Sequence, residues 1–270
     1  MARQRVVSRE YKIMLRPARF RGDDTKLLQT ARAFWQDFGR SVSAIVRSRE
    51  GTLGAIKGRR LITFLDTAEQ HLNRTGYIFR QRRDMIRGER EVTLKFRHPD
   101  RHVAQDRNMD ATGGKGARTK FEEDVKVPFV SLYSFSTTAR TGDKEQFDSL
   151  EAVARLFPDL AERLSGPPED VKLGIVNGFT ARELVVSGAS LQLGKGPKRA
   201  AECALIVWHD HARPRKGPVA VEFSYRYGAK NEKYDGQASL RAFQVFDVLQ
   251  TRLKGWVAPK SRTKTAFVYG

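Results

Sequence analysis

Cysteine is almost missing from this chain. The single Cys203 among 270 residues excludes an internal disulfide framework and a cysteine-rich zinc site. Long apolar runs are missing too, since none approaches the ~18 residues of a membrane helix. The stretch from Met1 to Glu10 starts basic but never becomes an apolar segment of signal-peptide length. These absences predict a soluble, cytoplasmic protein. Acidic residues are the other shortage, with 31 Asp and Glu against 50 Lys and Arg and a formal net charge of +19. Such an excess attracts phosphate-rich partners over long range: nucleic acid, polyphosphate, nucleotide or an anionic membrane surface.

Several familiar motifs are also missing. The run Gly113, Gly114, Lys115, Gly116 has no glycine five residues before Gly114 and no Ser or Thr after Lys115, so it is not a phosphate-binding loop. Gly51 with Gly54, and Lys57 with Gly58, miss that spacing as well. No Gly-x-Ser-x-Gly elbow supports a Ser-His-Asp triad. His209, Asp210 and His211 have no third distant ligand for a transition metal, and read as a turn. No internal repeat or low-complexity segment stands out.

What is present is a series of strands. Val6 to Leu15 alternates in character, as does Leu61 to Asp66. Tyr77 to Arg83 and Arg90 to Arg97 flank turn chemistry around Gly88 and read as a hairpin. Arg118 to Val127, Phe179 to Val186, Ala200 to Trp208, Val219 to Tyr227 and Arg262 to Tyr269 follow as strands. Leu27, Ala31, Phe34, Trp35 and Phe38 recur at helical spacing, with Asp23 or Asp24 as cap and Gly39 as stop. Further helices are expected from Asp148 to Phe157, with a second turn reaching Leu164, and over Ala238 to Leu253. Residues 41–60 read as a weak strand and a loop, and 98–117 as a long mobile loop. All of this suits one domain over residues 1–270, with insertions near 41–60 and 98–117.

The strands share an inverted alternation. Glu10 and Lys12 oppose Tyr11, Ile13 and Leu15; Arg80 and Arg82 share a face with Ile78. Glu91, Thr93, Lys95 and Arg97 oppose Val92, Leu94 and Phe96. Arg118, Lys120, Glu122, Asp124 and Lys126 oppose Phe121, Val125 and Val127, and Glu222, Ser224 and Arg226 oppose Val221, Phe223 and Tyr225. A merely solvated face would mix in Thr, Ser and Gln, whereas here ionisable residues of both signs dominate. Amphipathic helices need an apolar sheet surface to cover. If they cover the apolar faces, the charged ones line the inside of a barrel wide enough for a small ligand. The expected fold is therefore α+β, mainly β: a closed antiparallel β-barrel, or tunnel, with a charged interior and amphipathic helices outside. Interior charges need partners, which a polyanion with a divalent metal would supply. Carboxylates such as Glu10, Glu122, Asp124 and Glu222 suit Mg2+ or Mn2+.

The motifs in order resemble a known family. Ser8-Arg9-Glu10-Tyr11-Lys12 is similar to the opening Glu-x-Glu-x-Lys strand of the CYTH domain, or triphosphate tunnel metalloenzyme. Phe64 to Thr67, His71 to Arg74, Gly76, Arg80 with Arg82, Val92 to Lys95, Lys120 to Asp124, Glu222 to Ser224 and Lys264 follow the family's succession. The resemblance spans nearly the whole chain. It implies an eight-stranded antiparallel tunnel whose final strand carries Lys264, acting on inorganic, nucleotide or organic triphosphates, or on RNA 5′ ends. It departs from the pattern at Ser8 and Ser224, which stand where the family has carboxylates.

On this reading the phosphates fall to Lys12, Arg80, Arg82, Lys95, Arg118, Lys120, Arg182 and Lys264. The metal falls to Glu10, Glu122, Asp124 and Glu222, and the catalytic set is Glu10, Lys12 and Lys95. The expected function is a metal-dependent phosphohydrolase of a triphosphate-containing substrate. The alternatives are a non-catalytic polyphosphate-binding protein and a basic nucleic-acid-binding protein, the latter using Tyr225 and Tyr227 beside Arg226 and the basic loop at 113–120.

Overall fold

A computed structural model describes residues 4–112, 115–142, 144–164, 171–196, 199–258 and 262–270. In chain order the elements are β1 (Ser8–Leu15), α1 (Asp24–Val42), β2 (Ser48–Asp66), α2 (His71–Arg74), β3 (Tyr77–Asp84), β4 (Arg90–His98), α3 (Arg101–Gln105) and β5 (Lys115–Lys126). Then come β6 (Val130–Thr141), α4 (Leu150–Leu156), α5 (Pro158–Arg163), β7 (Gly174–Gln192), β8 (Ala200–Asp210), β9 (Pro218–Gly228), α6 (Gly236–Thr251) and α7 (Lys264–Tyr269).

The nine strands form a closed ring in the order β1-β5-β6-β4-β3-β2-β7-β8-β9. Strand directions cannot alternate all the way round a ring with an odd number of members, so one neighbouring pair has to be parallel. That pair is β1 with β5, running from Ser8 opposite Glu122 to Lys12 opposite Lys126. On its other side β1 pairs antiparallel with β9, from Ser8 opposite Gly228 to Leu15 opposite Val221. The expectation of eight strands, all antiparallel, is corrected by this arrangement.

Helices cover the ring from outside, where the apolar strand faces point. Asp23 caps α1 by accepting a hydrogen bond from the Lys26 amide at 2.9 Å, and Leu27, Phe34 and Phe38 form one buried stripe. With Ala242, Val245 and Phe246 of α6, that stripe packs on Tyr11, Ile13 and Leu15 of β1, Leu205 of β8, and Phe223 and Tyr225 of β9. The Phe34 and Phe38 rings meet Phe223 edge-on at 5.0 and 5.1 Å. A second outer core gathers Phe79, Leu94, Phe96, Phe121 and Phe135 beneath Leu72, Ala104, Val153 and Phe157. A third apolar cluster lies inside one end of the ring: Met14, Ile62, Phe64, Ile78 and Trp208 meet Val268 of α7. Burying a side chain of this size contributes roughly 1.5–3 kcal/mol, so both faces of the sheet are tied down.

Several local expectations change. Gly39 does not stop α1, which runs on to Val42. Its missing side chain makes room for the Arg49 guanidinium, which donates to the Trp35 carbonyl at 3.2 Å. Residues 48–60 are about two thirds of the long β2, held to β7 through register shifts near Gly51 and Gly58. The segment after residue 98 is packed: Asp100 caps α3, Met109 is buried, and the Thr112 amide donates to the Leu156 carbonyl. The Gly113 and Gly114 part of the expected loop lies outside the described residues. Ser149, not Asp148, caps α4.

Strand β6 was not expected at all, because its Ser and Thr resemble connecting segments. The last segment is a helix rather than a strand. The ring already pairs β9 with β8 and β1 and leaves no edge for another strand, while the Thr263 hydroxyl caps α7 by accepting from the Ala266 amide.

Candidate functional site: a charged tunnel

The strand periodicity of two sends alternate side chains into the ring. The inward positions are Glu10 and Lys12 (β1), Arg60 (β2), Arg80 and Arg82 (β3), and Glu91, Thr93, Lys95 and Arg97 (β4). Arg118, Lys120, Glu122 and Lys126 (β5), Glu183 (β7), Trp208 (β8), and Glu222, Ser224 and Arg226 (β9) join them. Together with Thr263 to Thr265 at the start of α7 they line a cavity of about 510 Å³. The inverted alternation therefore holds: the apolar faces meet helices and the charged faces meet one another.

Asp124 is the hub. Only 1% exposed, it accepts from Lys12 Nζ at 2.8 Å, from Lys95 Nζ at 3.1 Å and from the Ser134 hydroxyl at 2.9 Å, with Arg97 at 3.6 Å. Burial opposes its ionisation, but Lys12, Lys95 and Arg97 outweigh burial and hold the carboxyl well below its ordinary range. Lys12 also reaches Glu10 at 3.0 Å, so its ammonium bridges two carboxylates. Burial pulls the Lys12 pKa down, yet Asp124 and Glu10 more than offset it and raise the group. The same balance keeps Glu10 ionised: burial raises its pKa, and Lys12 lowers it further.

The β3–β4 side is different. Arg80 donates only a long 3.4 Å hydrogen bond, to Thr93, and among the described residues no carboxylate pairs with it. Burial, and then Arg82, push it down to about 9. Lys95 falls to about 7 through burial and then Arg97, despite Asp124. Lys126, which has no ion pair among the described residues, falls to about 8 by burial and Arg97. The buried Nε atoms of Arg80, Arg82 and Arg97 find no acceptor. Unpartnered buried donors are costly in a protein interior.

Most of the anticipated phosphate residues converge here: Lys12, Arg80, Arg82, Lys95, Arg118, Lys120 and Lys264 all line the cavity. Lys264 arrives from a helix, with Nζ 3.1 Å from Glu222 and 5.4 Å over the Trp208 ring. Arg182 does not join them. It follows the inward Ala181 and precedes the inward Glu183, so it takes the outer face of β7, where its charge lowers the pKa of His209 after burial does. Arg97 and Lys126, on charged faces read from the sequence but given no phosphate role there, also line the cavity, and Arg60 and Glu183 line it from segments not read as charged faces. Arg60 pairs with Glu183 at 3.3 Å, and Glu183 accepts from Trp208 Nε1 at 2.9 Å. The spacing of Arg60, Ile62 and Phe64 carried the signal, but residue 60 had been assigned to a loop.

The four expected metal ligands share the tunnel without forming a metal site. Among the described residues, no three Asp, Glu, His or Cys side chains converge. The position between Glu10 and Asp124 is filled by the Lys12 ammonium, and Glu222 is paired with Lys264. Glu122 accepts from the Ser8 hydroxyl at 2.6 Å, at one of the two places where the family motif has a carboxylate. This donor set does not fit the oxygen cage of Mg2+ or Mn2+.

No family model matches the chain, and no curated protein does. Among solved structures, it is similar to HpAC1 from Hippeastrum, described as an adenylyl cyclase with a dominant triphosphatase activity, at 12% identity and a TM-score of 0.46, covering 97% of this chain and 95% of that one. A protein from Bacillus halodurans described as an adenylate cyclase shares 14% identity at a TM-score of 0.44, with 100% of each chain covered. One from Vibrio parahaemolyticus, described likewise, shares 10% at 0.39, covering 99% and 100%. The chemistry that follows rests on the tunnel's own side chains.

Proposed function

We propose that the ring is a tunnel for a triphosphate-containing small molecule, and that its activity is phosphohydrolysis of that molecule. The supporting observation is the set of buried, acceptor-less Nε atoms on Arg80, Arg82 and Arg97. Their other nitrogens reach Thr93, Glu91, Thr265 and Asp124, and the Nε donors left over are matched by phosphate oxygens, which accept two parallel N–H donors from an arginine. The Lys95 ammonium, Thr93 and Thr138 stand on the same inner surface.

Phosphoryl transfer needs positioning and neutralisation of the equatorial oxygens more than covalent help. Here a water oxygen would form a bond to the terminal phosphorus as the bridging P–O bond breaks. Diphosphate, or its nucleotide or organic equivalent, would leave, and the proton of water would pass to the products and solvent. Arg80, Arg82 and Lys95 would neutralise the negative charge that builds on the leaving and transferring groups.

The nucleic-acid alternative loses its stacking platform. Tyr225 and Tyr227 are 1% and 4% exposed, and Tyr225 packs against Tyr11 and donates to the Ala242 carbonyl.

The test is calorimetric titration with inorganic triphosphate, with phosphate release followed in parallel on inorganic triphosphate, ATP and RNA bearing a 5′-triphosphate. Binding and release that both fall in Arg80→Ala support the reading. Binding without release leaves a polyphosphate-binding protein. No triphosphate binding, alongside salt-sensitive RNA binding untouched by Arg80→Ala, would overturn it.

A further inference from the structure

We propose that the tunnel takes its triphosphate group as the metal-free anion, with the Lys12 ammonium as the resident cation where a divalent ion would otherwise sit. This rests on the reading of the tunnel as a triphosphate site. Two independent observations carry it.

The first is position. Lys12 Nζ lies 3.0 Å from a Glu10 oxygen and 2.8 Å from an Asp124 oxygen, bridging two carboxylates as a small cation does. A divalent ion between those carboxylates would stand in contact with Lys12 and close to Lys95, which shares Asp124. Like charges at such separations repel strongly away from bulk water. Metal entry therefore requires Lys12 to leave both partners. The neighbouring positions offer hydroxyls, Ser8 and Ser224, and the Ser8 hydroxyl donates to Glu122.

The second is charge balance. Eleven Lys and Arg side chains line the cavity against five Glu, and Asp124 makes the sixth carboxylate, leaving an excess of five positive charges when Lys95 and Lys126 are protonated, as a bound polyanion favours. A triphosphate group carries about four or five negative charges, one on each internal phosphoryl group and up to about two on each terminal one. The protein's own cations therefore neutralise the ligand, and an added dication would overshoot. A phosphate site that holds Mg2+ keeps one or two carboxylates for the ion, whereas here Glu10, Asp124 and Glu222 are each taken by a lysine.

The experiment compares affinities for inorganic triphosphate by calorimetry, using metal-stripped protein in EDTA and the same protein in millimolar Mg2+. The expected dissociation constant in EDTA is within about threefold of the Mg2+ value, or tighter, because Mg2+ competes for the free ligand. Binding at least about tenfold weaker in EDTA, a difference of ~1.4 kcal/mol, would overturn the metal-free assignment and leave the triphosphate site standing. No binding in either buffer would overturn both. Lys12→Gln sharpens the comparison. With the resident cation gone, affinity in EDTA should drop at least about tenfold, and Mg2+ should restore part of it. A folded Lys12→Gln protein, checked by circular dichroism, whose affinity ignores Mg2+ would count against Lys12 as the resident cation.

Discussion

Two walls of the same tunnel balance their charge in different ways. The wall made by β1, β5 and β9 carries Glu10, Glu122, Asp124 and Glu222 among its cations, and Lys12 is tied to two of these carboxylates. The wall made by β3 and β4 carries Arg80, Arg82, Lys95 and Arg97 with Glu91 as its one carboxylate. Its depressed Arg80 and Lys95 register the deficit. The first wall is largely settled within the protein, although Lys120 and Lys126 have no ion pair among the described residues. The second borrows Asp124 for Lys95 and Arg97 and leaves Arg80 without a carboxylate, so removing charge from the two should have opposite consequences.

The largest effect is expected on the settled wall. Asp124→Ala strips Lys12, Lys95 and Arg97 of their shared counter-ion and should cost about 3–5 kcal/mol of folding stability, measured by urea denaturation. A loss under about 1 kcal/mol would break the contrast. On the incomplete wall, Arg80→Ala should weaken triphosphate binding about 30- to 100-fold, or ~2–3 kcal/mol. The thermal midpoint should hold or rise, because a buried unpaired guanidinium has gone. A drop in that midpoint as large as the one from Asp124→Ala would show that both walls are structural.

An intermediate effect comes from pH. Ligand phosphates favour protonated Lys95, whose pKa in the free tunnel is about 7, and Lys126, at about 8. Affinity should therefore fall as pH rises through that window, by up to about tenfold per unit for each lysine that takes up a proton on binding. The ligand-free fold responds in the other direction. The unfolded chain keeps the Lys95 proton up to its ordinary 10.5, while the folded chain releases it near 7. The Lys95 contribution to stability therefore grows as pH climbs from 7 toward 10.5. Titrations across pH 6 to 9 read the first slope. A flat profile would mean that Lys95 does not touch the phosphates. The smallest effect belongs to Arg182→Ala on the outer face, where affinity should stay within about twofold. A tenfold loss there would move the ligand off the inner surface.

Much of this was legible in the sequence. The charged and apolar faces of β1, β3, β4, β5 and β9 could be read directly, because a strand's two-residue period converts sequence order into inside and outside. That reading brought seven of the eight expected phosphate residues to the cavity. It failed at Arg182, where the direction of a lone arginine depends on register with Leu61 and His209. It also failed at β6, whose inward Ser134, Ser136 and Thr138 look like loop residues although Ser134 holds Asp124. The metal assignment came from carboxylates on the inward strand faces and from the resemblance, neither of which gives their partners. Each carboxylate's partners are set by pairings as distant as Lys12 with Asp124, 112 positions apart, which no local pattern contains.

The parallel seam between β1 and β5 has a consequence for how the chain reaches this state. The first strand finds its neighbours at separations of 114 residues, as in Ser8 with Glu122, and 218 residues, as in Arg9 with Tyr227. Hairpins such as β3–β4 can form while the chain is still being made, but β1 gains its second partner only after β9 has emerged. Contacts so remote in sequence slow folding, since the entropy of closing the loop comes before any reward. Until that late docking, the carboxylates of β5 and the cations of β1 face water on an open edge. The charged interior is therefore complete only after β1 has met both β5 and β9 and Lys264 has followed them in.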